Sequence, residues 1–395
     1  MANGKWPTAN RPSLGMGGAG PTGRDFFQPL PSAGLTMSGI LRLDCRRNLM
    51  TTPNTPILVT GGAGYIGSHT VRLLASQGCK IVVLDNMVFG HERAIIDPGV
   101  ELVVGDVGDQ ALVRALFEKH RFGAVIHFAA YAYVGESVTN PLKYYQNNTA
   151  EPIRLLQVMQ ESGCKVFVFS STCATYGAPD QLPITEANTQ NPINPYGRSK
   201  LMVEWILADC GRAWGLRSAC LRYFNASGCS SDGEIGEDHS PETHLIPRVM
   251  MAVTGEIDHL EVFGTDYPTP DGTCIRDYIH VEDLADAHAR ALDHLAGGGA
   301  SVCCNLGTGI GVSVKEIIAA VEEISGQTVP VQYGPRRAGD PASLVADPSL
   351  AKQLLGWQAT RLDVRDMVRP AWLWCHGPHR GRFPANTRSA SHPGV

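Results

Sequence analysis

The chain has 395 residues, of which 43% are hydrophobic and 18% are charged, and its formal net charge is −5 at pH 7. This length fits one large or two smaller domains, and the composition is ordinary for a globular enzyme. The acidic balance offers no basic surface for nucleic acid, and no apolar run approaches the ~20 residues that span a bilayer. We therefore expect neither a nucleic-acid nor a membrane partner.

The eleven cysteines are scattered along the chain, and none forms a C-x-x-C pair. The sequence therefore indicates no zinc ribbon or redox motif, and we expect no metal. Several cysteines lie in apolar, strand-like stretches, where free thiols are typical of a reducing compartment. We accordingly expect a cytoplasmic location.

The two ends of the chain differ from the middle. Residues 1–55 are rich in Gly, Pro, Ser and Arg and poor in acids, which predicts a disordered N-terminal extension. A transit peptide is one alternative, and a start site assigned upstream of Met50 is another. Residues 376–395 are polar and are predicted to form a disordered tail.

From Pro56 onward, short apolar runs alternate with helical patterns. The predicted strands cover residues 57–60, 81–84, 101–104, 124–128, 165–170 and 217–223, and the helices between them cover 68–77, 111–119, 151–161 and 196–214. This alternation predicts an α/β fold, with a Rossmann-type doubly wound parallel sheet, as an NAD-binding domain over residues 56–225.

Beyond Asn225 the loops lengthen, and two further helices are predicted at 281–295 and 313–325. We interpret residues 226–375 mainly as a smaller C-terminal α/β lobe for substrate. Later segments could return to the first domain.

A glycine-rich turn directly follows the first strand. Gly61, Gly64 and Gly67 would let backbone N–H groups approach a pyrophosphate at the N-terminus of a helix. The spacing is G-x-x-G-x-x-G, which also occurs in simple tight turns. Asp85, at the end of the second strand, lies near the ~20-residue offset of a ribose-binding acid. Its charge would repel a 2′-phosphate, so NAD is favoured over NADP, and a strand-end cap is the alternative.

Further strand ends point to the same cofactor. Asp106 and Val107 follow the third strand and could flank the adenine. Phe128, Ala129 and Ala130 come at the end of the fourth strand, where the two small alanines would admit a ligand. In a doubly wound sheet all these ends lie on the ligand side.

Tyr196 and Lys200 are four residues apart and would share one face of a helix. A nearby ammonium and a positive nicotinamide ring would both favour the phenolate, which could then take a proton from a sugar hydroxyl. Thr172, in the hydroxyl cluster that ends the fifth strand, could relay or orient that proton. An isolated Y-x-x-x-K would more often be a surface pair.

These motifs occur together with several others, from about Ile57 to Trp374. The set comprises 61–67, His127–Ala130, Val134–Ser137, Ser170–Gly177, Pro195–Lys200, Arg222–Asn225, Arg276–Val281 and Arg336–Asp340. It resembles the extended short-chain dehydrogenase/reductase family, and in particular its UDP-glucose 4-epimerase members.

The resemblance implies roles for individual residues. Tyr196 would be the base. Lys200 would bind the ribose and lower the pKa of Tyr196, and Thr172 would be a hydroxyl partner of Tyr196. The implied NAD contacts are Gly61, Gly64, Tyr65, Ile66, Gly67, Asp85, Asn86, Asp106, Val107, Phe128, Ala129, Ala130, Asn147, Tyr196, Lys200 and Tyr223. The implied UDP-sugar contacts are Thr172, Asn225, His244, Leu245, Phe263, Arg276, Tyr278, Arg337, Asp340 and Ser343.

Two positions depart from the family pattern. His244 stands where some members carry Asn, and Ser343 stands where some members carry a bulky Tyr beside the hexose. A small residue at that place would leave room for an N-acetyl group, which suggests additional activity on UDP-GlcNAc and UDP-GalNAc.

The activity implied by the resemblance is interconversion of UDP-glucose and UDP-galactose, by oxidation at C4, rotation of the 4-keto sugar and re-reduction. A UDP-pentose or UDP-uronic acid 4-epimerase is the nearest alternative. A nucleotide-sugar 4,6-dehydratase is disfavoured, because Cys173 and Ala174 stand where that chemistry usually has an acidic pair. A non-catalytic NAD-sensing protein would have little need of Tyr196 and Lys200. The resemblance also implies a homodimer built through a helix bundle.

Overall fold

The computed structural model describes residues 55–337, 340–377 and 380–387. The disorder predicted for residues 1–54 and 388–395 lies outside the described residues. The described chain alternates strands and helices from residue 57 onward.

Seven parallel strands form the main sheet. They are β1 (Ile57–Thr60), β2 (Ile81–Asp85), β3 (Glu101–Val104), β4 (Ala124–His127), β5 (Val166–Thr172), β6 (Arg217–Tyr223) and β10 (Val302–Leu306). Their order is β3-β2-β1-β4-β5-β6-β10, and every neighbouring pair is parallel. The strand order reverses direction between β1 and β4, where ligands bind in doubly wound sheets. The predicted fold class is confirmed.

The helices follow the same chain-order numbering. They are α1 (Tyr65–Ser76), α2 (Gln110–His120), α3 (Val134–Thr139), α4 (Pro141–Tyr145), α5 (Glu151–Ser162), α6 (Pro195–Trp214), α7 (Leu245–Thr254), α8 (Val281–Ala296), α9 (Val314–Ser325), α10 (Ser349–Leu355) and α11 (Val364–His376).

Both faces of the main sheet are covered by apolar packing. On one face, α1 and α8 share a core in which Val71 and Leu74 join Leu284 and Leu292. On the other face, α2, α5 and α6 bury a second core. Since each buried side chain contributes roughly 1.5–3 kcal/mol, these two layers fix the strand ends that form the site.

The boundary predicted at residue 225 does not separate the two lobes along the chain. Strand β10 pairs with β6 in the main sheet, and α8 packs beneath that sheet, although both come after residue 225. The described residues from 55 onward fall within one compact unit. The chain therefore crosses from the first lobe to the second and returns.

The smaller lobe contains the remaining strands. They are β7 (Asn225–Ser227), β8 (Leu260–Phe263), β9 (Ile275–His280), β11 (Gly311–Ser313), β12 (Val331–Gly334) and β13 (Ser343–Leu344). Strand β9 pairs with β7, β11 and β13, while β8 pairs with β12. Helices α7, α9 and α11 pack with them around a third apolar core. The smaller lobe places β9 and the 340–344 segment beside the lobe that contains the main sheet.

Several element ends differ from their predicted positions. Helix α1 begins at Tyr65 instead of residue 68, immediately after the glycine turn. Strand β5 runs on to Thr172 instead of ending at residue 170, because its last three residues pair with Leu221, Arg222 and Tyr223 of β6. Helices α7, α10 and α11 were not predicted.

The predicted frayed tail is wrong for residues 380–387. The Phe383 ring lies 4.9 Å from that of His91 and 4.8 Å from that of Trp374. The side chain of Asn386 donates to Gly90 O at 2.9 Å and accepts from Glu92 N at 2.9 Å. These contacts fix the segment against the loop after β2.

The ten cysteines in the described part of the chain are all free. No helix among the described residues combines the length and the apolar character needed to cross a membrane.

Four buried histidines predict how the fold responds to acid. Burial lowers the pKa of His69 and His288 to about 4, and that of His127 and His280 to about 3. In the unfolded chain each titrates near ~6.5, so the unfolded state takes up protons first, and stability is lost as the pH falls below that value.

Replacing His288 with leucine should make the protein more resistant to acid. Its ring is fully buried, and Nε2 has no hydrogen-bond partner among the described residues. Between pH 7 and pH 4.5 this one group should cost the wild type about 2–3 kcal/mol that His288→Leu does not lose. Urea unfolding at both pH values measures the difference, with the exposed His259→Leu as control. Equal losses in all three proteins would contradict the account.

Candidate functional site

A cavity of about 460 Å³ opens along the carboxyl ends of the main-sheet strands and reaches β9 of the smaller lobe. Twenty of the residues predicted to bind cofactor or substrate line it. They are Gly61, Gly64, Tyr65, Ile66, Gly67, Asp85, Asn86, Val107, Phe128, Ala129, Ala130, Asn147, Thr172, Tyr196, Lys200, Tyr223, Asn225, His244, Arg276 and Asp340. The fold thus brings both predicted sets of residues together.

The glycine turn forms one wall of this cavity. Gly61 has φ +69°, and a Cβ there would collide with the backbone nitrogen of Ala129. Gly64 precedes the first turn of α1, where no described side chain caps the helix. Backbone N–H groups at an uncapped helix N-terminus carry partial positive charge and suit a pyrophosphate.

Asp85 lies in the same wall, at the end of β2. Its carboxylate accepts hydrogen bonds from Ala63 N at 3.0 Å and from Met87 N at 2.9 Å. Burial raises the pKa of this carboxyl above its ordinary value, and the two backbone donors oppose the rise. Each oxygen retains a second lone pair, so the carboxylate can also accept from ribose hydroxyls.

Asp106 stands one layer behind the wall. It does not line the cavity; it accepts from the side chain of Asn86 at 3.1 Å and from Gly108 N at 2.7 Å. Asp106 therefore holds Asn86 in place, and its own contact with the cofactor stays a prediction.

A π-helical turn at Gln146–Ala150 links the cofactor wall to α6. Asn147 and Asn148 both accept from Tyr131 N, at 3.1 and 2.9 Å. Asn148 also donates to the Ser199 hydroxyl at 3.2 Å. Such bulges are frequent at functional sites, and this one ties a cavity wall to the helix that carries Tyr196.

The start of α6 sets the position of Tyr196. Asn194 caps the helix by accepting from Gly197 N at 2.8 Å, and Pro195 occupies the first turn. Gly197 packs against Ala174, in the turn after β5, so closely that a Cβ would lie 2.5 Å from its carbonyl oxygen. This close approach puts Tyr196 beside Thr172.

Tyr196 lies in an environment that resists ionisation in the chain alone. Burial raises the pKa of Tyr196 well above its ordinary value and the neighbouring Tyr223 adds to the rise, while a hydrogen bond with Thr172 lowers it. A phenolate therefore requires positive charge nearby.

Lys200 follows Tyr196 by four residues in α6 and shares its face of the helix. It is 3% exposed, and its Nζ donates to Ser170 O at 2.9 Å. Burial lowers the pKa of this ammonium to about 7. Two of its three donors can reach other acceptors, which suits ribose hydroxyls in the cavity.

At the other end of the cavity, Arg276 of β9 pairs with Asp340. The guanidinium also donates to Ile275 O at 2.7 Å. A planar fork of donors suits a diphosphate, and the carboxylate suits sugar hydroxyls. The pair holds both groups ready on the substrate side.

Five residues predicted to bind substrate do not line the cavity. Tyr278 belongs to the third core and is 6% exposed. The ring of Phe263 instead contacts the exposed Arg337, whose guanidinium lies 4.4 Å from the centre of that ring. Leu245 starts α7, directly after the cavity residue His244. None of these four reaches the cavity wall in the structure.

Ser343, the fifth of these residues, does not line the cavity either, contrary to its predicted place beside the hexose. The cavity is lined by Leu344 instead of Ser343. The two form strand β13, in which neighbouring side chains face opposite sides. The small side chain of Ser343 therefore opens no space for an N-acetyl group in this cavity.

A cluster of four polar side chains adjoins the cavity near α7, which we call the 237–244 cluster. It comprises Glu237, His239, Glu242 and His244. Burial alone would lower the pKa of both imidazoles, but the two carboxylates outweigh it and raise the pKa of His239 to about 9 and that of His244 to about 10. His244 is thus bound to acidic neighbours, in addition to facing the cavity.

Sequence reasoning missed Glu237, His239 and Leu344, which all line the cavity. The alternation of acids and histidines between residues 237 and 244 is visible in the sequence and could have marked the cluster. The sequence gives no such signal for Leu344, because only the orientation of β13 shows which of its two side chains faces the cavity.

Replacing Gly61 with alanine should abolish cofactor retention. The new Cβ would meet backbone that cannot yield, in a left-handed conformation that itself costs about 1–2 kcal/mol. We expect NAD released from the purified protein by heat to fall more than ~10-fold, when measured by chromatography. Gly163→Ala is the matched control, because Gly163 has φ +74° with nothing within 4 Å of its Cβ. Full NAD content in Gly61→Ala would contradict this description of the turn.

Comparison with known proteins agrees with this geometry. The family model described as "NAD dependent epimerase/dehydratase family" matches residues 57–307. A UDP-glucose 4-epimerase from Halalkalibacterium halodurans is 50% identical over 323 residues, covering 82% of this chain and 96% of that protein. UDP-arabinose 4-epimerase 1 from Arabidopsis thaliana is 41% identical over 349 residues, covering 85% of this chain and 83% of that protein.

The fold agrees as well. The crystal structure of UDP-glucose 4-epimerase from Brucella ovis in complex with NAD superposes with a TM-score of 0.79 at 53% identity, covering 80% of this chain and 97% of that one. The chain therefore belongs to the NAD-dependent epimerase/dehydratase family. Within it, the chain is similar to UDP-glucose 4-epimerases, as the resemblance indicated.

Proposed function

We propose that this protein interconverts UDP-glucose and UDP-galactose by inverting C4 of the hexose, with tightly held NAD. One observation carries the proposal: Tyr196, Lys200 and Thr172 share a single cavity with the glycine turn at one end and with Arg276 and Asp340 at the other. A hydride carrier, a base and a nucleotide-sugar site are then within reach of one another.

The residues present fit NAD. Gly61 and the uncapped start of α1 leave the space and the donors that a pyrophosphate needs, and Asp85 faces the cavity as an acceptor for ribose. When bound, NAD supplies a hydride acceptor that later serves as the donor. The Asp85 carboxylate disfavours the 2′-phosphate of NADP.

Tyr196 is the proposed base. Its phenolic oxygen takes the proton of the sugar 4-hydroxyl and later returns it, and its hydrogen bond with Thr172 orients that exchange. Lys200 provides a positive charge that favours the phenolate, while its contact with Ser170 O keeps it in place.

The substrate side must hold the nucleotide while the sugar turns. Arg276 and Asp340 provide charged contacts for the diphosphate and the ribose. Inversion at C4 requires the pyranose to present both of its faces to one hydride carrier, so tight contacts belong on the UDP part and loose ones on the hexose.

The direct test is turnover without added cofactor. Purified protein incubated with UDP-galactose should form UDP-glucose, followed by chromatography, with no NAD supplied. Formation of a 4-keto-6-deoxy sugar would favour the dehydratase instead. That outcome is disfavoured because Cys173 and Ala174 follow Thr172. No conversion, even with NAD restored, would refute the proposal.

Substrate breadth is measured in the same assay. UDP-arabinose, UDP-glucuronic acid and UDP-GlcNAc are compared with UDP-galactose at equal concentration. The higher identity to UDP-glucose 4-epimerases than to the plant UDP-arabinose epimerase supports the hexose as the main substrate. Because Leu344 lines the cavity in place of Ser343, the small size of Ser343 gives no reason to propose activity on N-acetylhexosamines.

We also propose that the protein is a homodimer. Helices α4 and α6 pack together and carry exposed apolar side chains, with Leu142 at 78% and Trp205 at 59% exposure. Val138 on the neighbouring α3 is 62% exposed. Such a group of apolar side chains is a candidate protein–protein interface.

Replacing Trp205 with glutamate should convert the dimer to a monomer, because a charge would be buried at the interface. Light scattering after size exclusion measures the mass. Leu373→Glu is the control, since Leu373 is 54% exposed on α11 and should leave the dimer intact. A monomeric wild type, or a dimeric Trp205→Glu, would contradict the proposal.

We propose a cytoplasmic location because the cysteine thiols of the described residues are free. The ten described cysteines are free, and Cys303 is exposed, as expected of a protein kept in a reducing compartment. Cell fractionation with an antibody tests it, and recovery in an oxidising compartment would refute it.

A further inference from the structure

The 237–244 cluster converges on one point. Each of its four side chains places one carboxylate oxygen or ring nitrogen within 4.8 Å of the other three. His244 Nδ1 lies 2.8 Å from Glu237 Oε1 and 3.0 Å from Glu242 Oε1. His239 Nδ1 lies 3.3 Å from Glu237 Oε1 and 3.6 Å from Glu242 Oε2.

This spacing is compatible with four ligands around one metal ion, and the contact between His244 Nδ1 and Glu242 Oε1 also has the geometry of a hydrogen bond. A zinc ion bound to nitrogen and oxygen at about 2.0–2.2 Å in a tetrahedron holds its ligand atoms about 3.4 Å apart. The four nitrogen–oxygen distances in the cluster bracket that value. Two imidazoles and two carboxylates also form a donor set that suits a borderline divalent cation.

Two buried polar atoms at the cluster have no hydrogen-bond partner among the described residues. They are Nδ1 of His239 and Oη of Tyr133, whose ring centre lies 6.3 Å from that of His239. Although His239 Nδ1 is close to both carboxylates, neither contact has hydrogen-bond geometry. A buried ring nitrogen that faces two carboxylates without forming a hydrogen bond can become a metal ligand when an ion displaces its proton.

The charges lead to the same conclusion. The side chains of Glu237 and Glu242 are only 7% and 6% exposed, so two carboxylates are withdrawn from water side by side. Such a pair needs about two positive charges to be stable. Two imidazolium ions can supply them, and one divalent cation supplies them equally.

We propose that Glu237, His239, Glu242 and His244 bind one divalent cation of the zinc class, in the wall of the cavity. The site is separate from Tyr196, Lys200 and Thr172, and it does not depend on the proposed reaction. Because Glu237, His239 and His244 also line the cavity, an ion there would brace the 237–244 segment at the point where α7 begins.

The test is a titration of full-length, tag-free protein with Co²⁺ after treatment with chelator and removal of the chelator. Visible absorption reports four-coordinate cobalt, and an intense near-ultraviolet charge-transfer band would reveal thiolate ligands elsewhere. We expect one equivalent of Co²⁺ to bind without that band, and Zn²⁺ to displace it. In Glu242→Gln and in His239→Gln the affinity should fall more than ~10-fold.

Matched controls separate a lost ligand from a lost fold. Glu118→Gln and His259→Gln remove the same groups at exposed positions and should bind as the wild type does. Thermal unfolding and NAD content verify that each variant is folded. Absence of saturable binding in the wild type, or unchanged affinity in both cluster variants, would overturn the proposal and leave the cluster as an ion-pair network. Epimerase activity enters neither outcome, so failure here is distinct from failure of the proposed function.

Discussion

Replacing Tyr196 with phenylalanine should lower kcat for UDP-galactose by ~10²–10⁴-fold, with little change in KM. The substitution removes only the phenolic oxygen, and so removes the group placed to exchange the proton of the sugar 4-hydroxyl. The ring still fills its place beside Thr172 at the start of α6, so binding of UDP-sugar and of NAD should persist. Initial rates over a range of UDP-galactose concentrations measure the effect.

Two checks make this result specific. NAD content and circular dichroism should match the wild type, which shows that the site is assembled. Tyr333→Phe removes the same oxygen from a tyrosine that is 56% exposed and does not line the cavity, and its rate should be unchanged. A Tyr196→Phe enzyme that keeps more than a tenth of the wild-type kcat would exclude Tyr196 as the base.

Replacing Glu204 with leucine should lower the free energy of unfolding by about 3–5 kcal/mol. Glu204 is 5% exposed and pairs with the buried Arg222, with distances of 2.6 Å to Nη2 and 3.0 Å to Nε. It also accepts from the Ser171 hydroxyl at 2.6 Å. Leucine leaves the guanidinium without its charge partner inside the protein. Urea unfolding with NAD in excess measures the change.

The same substitution connects stability to the site. Ser171 directly precedes Thr172 in β5, so loss of the Glu204 contact loosens the strand end that faces the substrate. Glu161→Leu is the control, because Glu161 pairs with Arg114 at the surface and should leave stability nearly unchanged. Equal unfolding midpoints for Glu204→Leu and the wild type would show that the buried pair does not hold the sheet.

Six of the seven strands of the main sheet could be predicted from the sequence, because most of them are buried on both faces. The buried run Ile57–Thr60 was located with the bounds that the structure gives it. The half-buried edge strand Glu101–Val104 was also located with its observed bounds. The Tyr196–Lys200 pair was also placed correctly on one helix, since four-residue spacing defines a helix face. The local sequence pattern is enough to predict most of the elements that pack within or against the main sheet.

The partner of a segment could not be predicted in the same way. The amphipathic pattern of α8 indicates a helix, but not that it packs under the main sheet beside α1. Strand β10 likewise carries no local sign that it joins β6 across some 80 residues of chain. Both assignments depend on long-range packing, which decides topology after local structure is set.

The substrate side was the least predictable part of the site. Choosing between Ser343 and Leu344 depends on the facing of a two-residue strand, where a shift of one position reverses the side chain. The 237–244 cluster depends on an irregular loop that folds its residues onto one point. Neither feature follows from periodicity.

The central claim is that one hydrogen leaves C4 and returns to the same carbon within one active site. UDP-glucose labelled with deuterium at C4 tests it directly, in ordinary water and without added NAD. We predict that the UDP-galactose formed keeps the deuterium at C4 and that the solvent gains none. Loss of the label to water would contradict the account, because C4 would then be inverted by proton exchange rather than by transfer of a hydride.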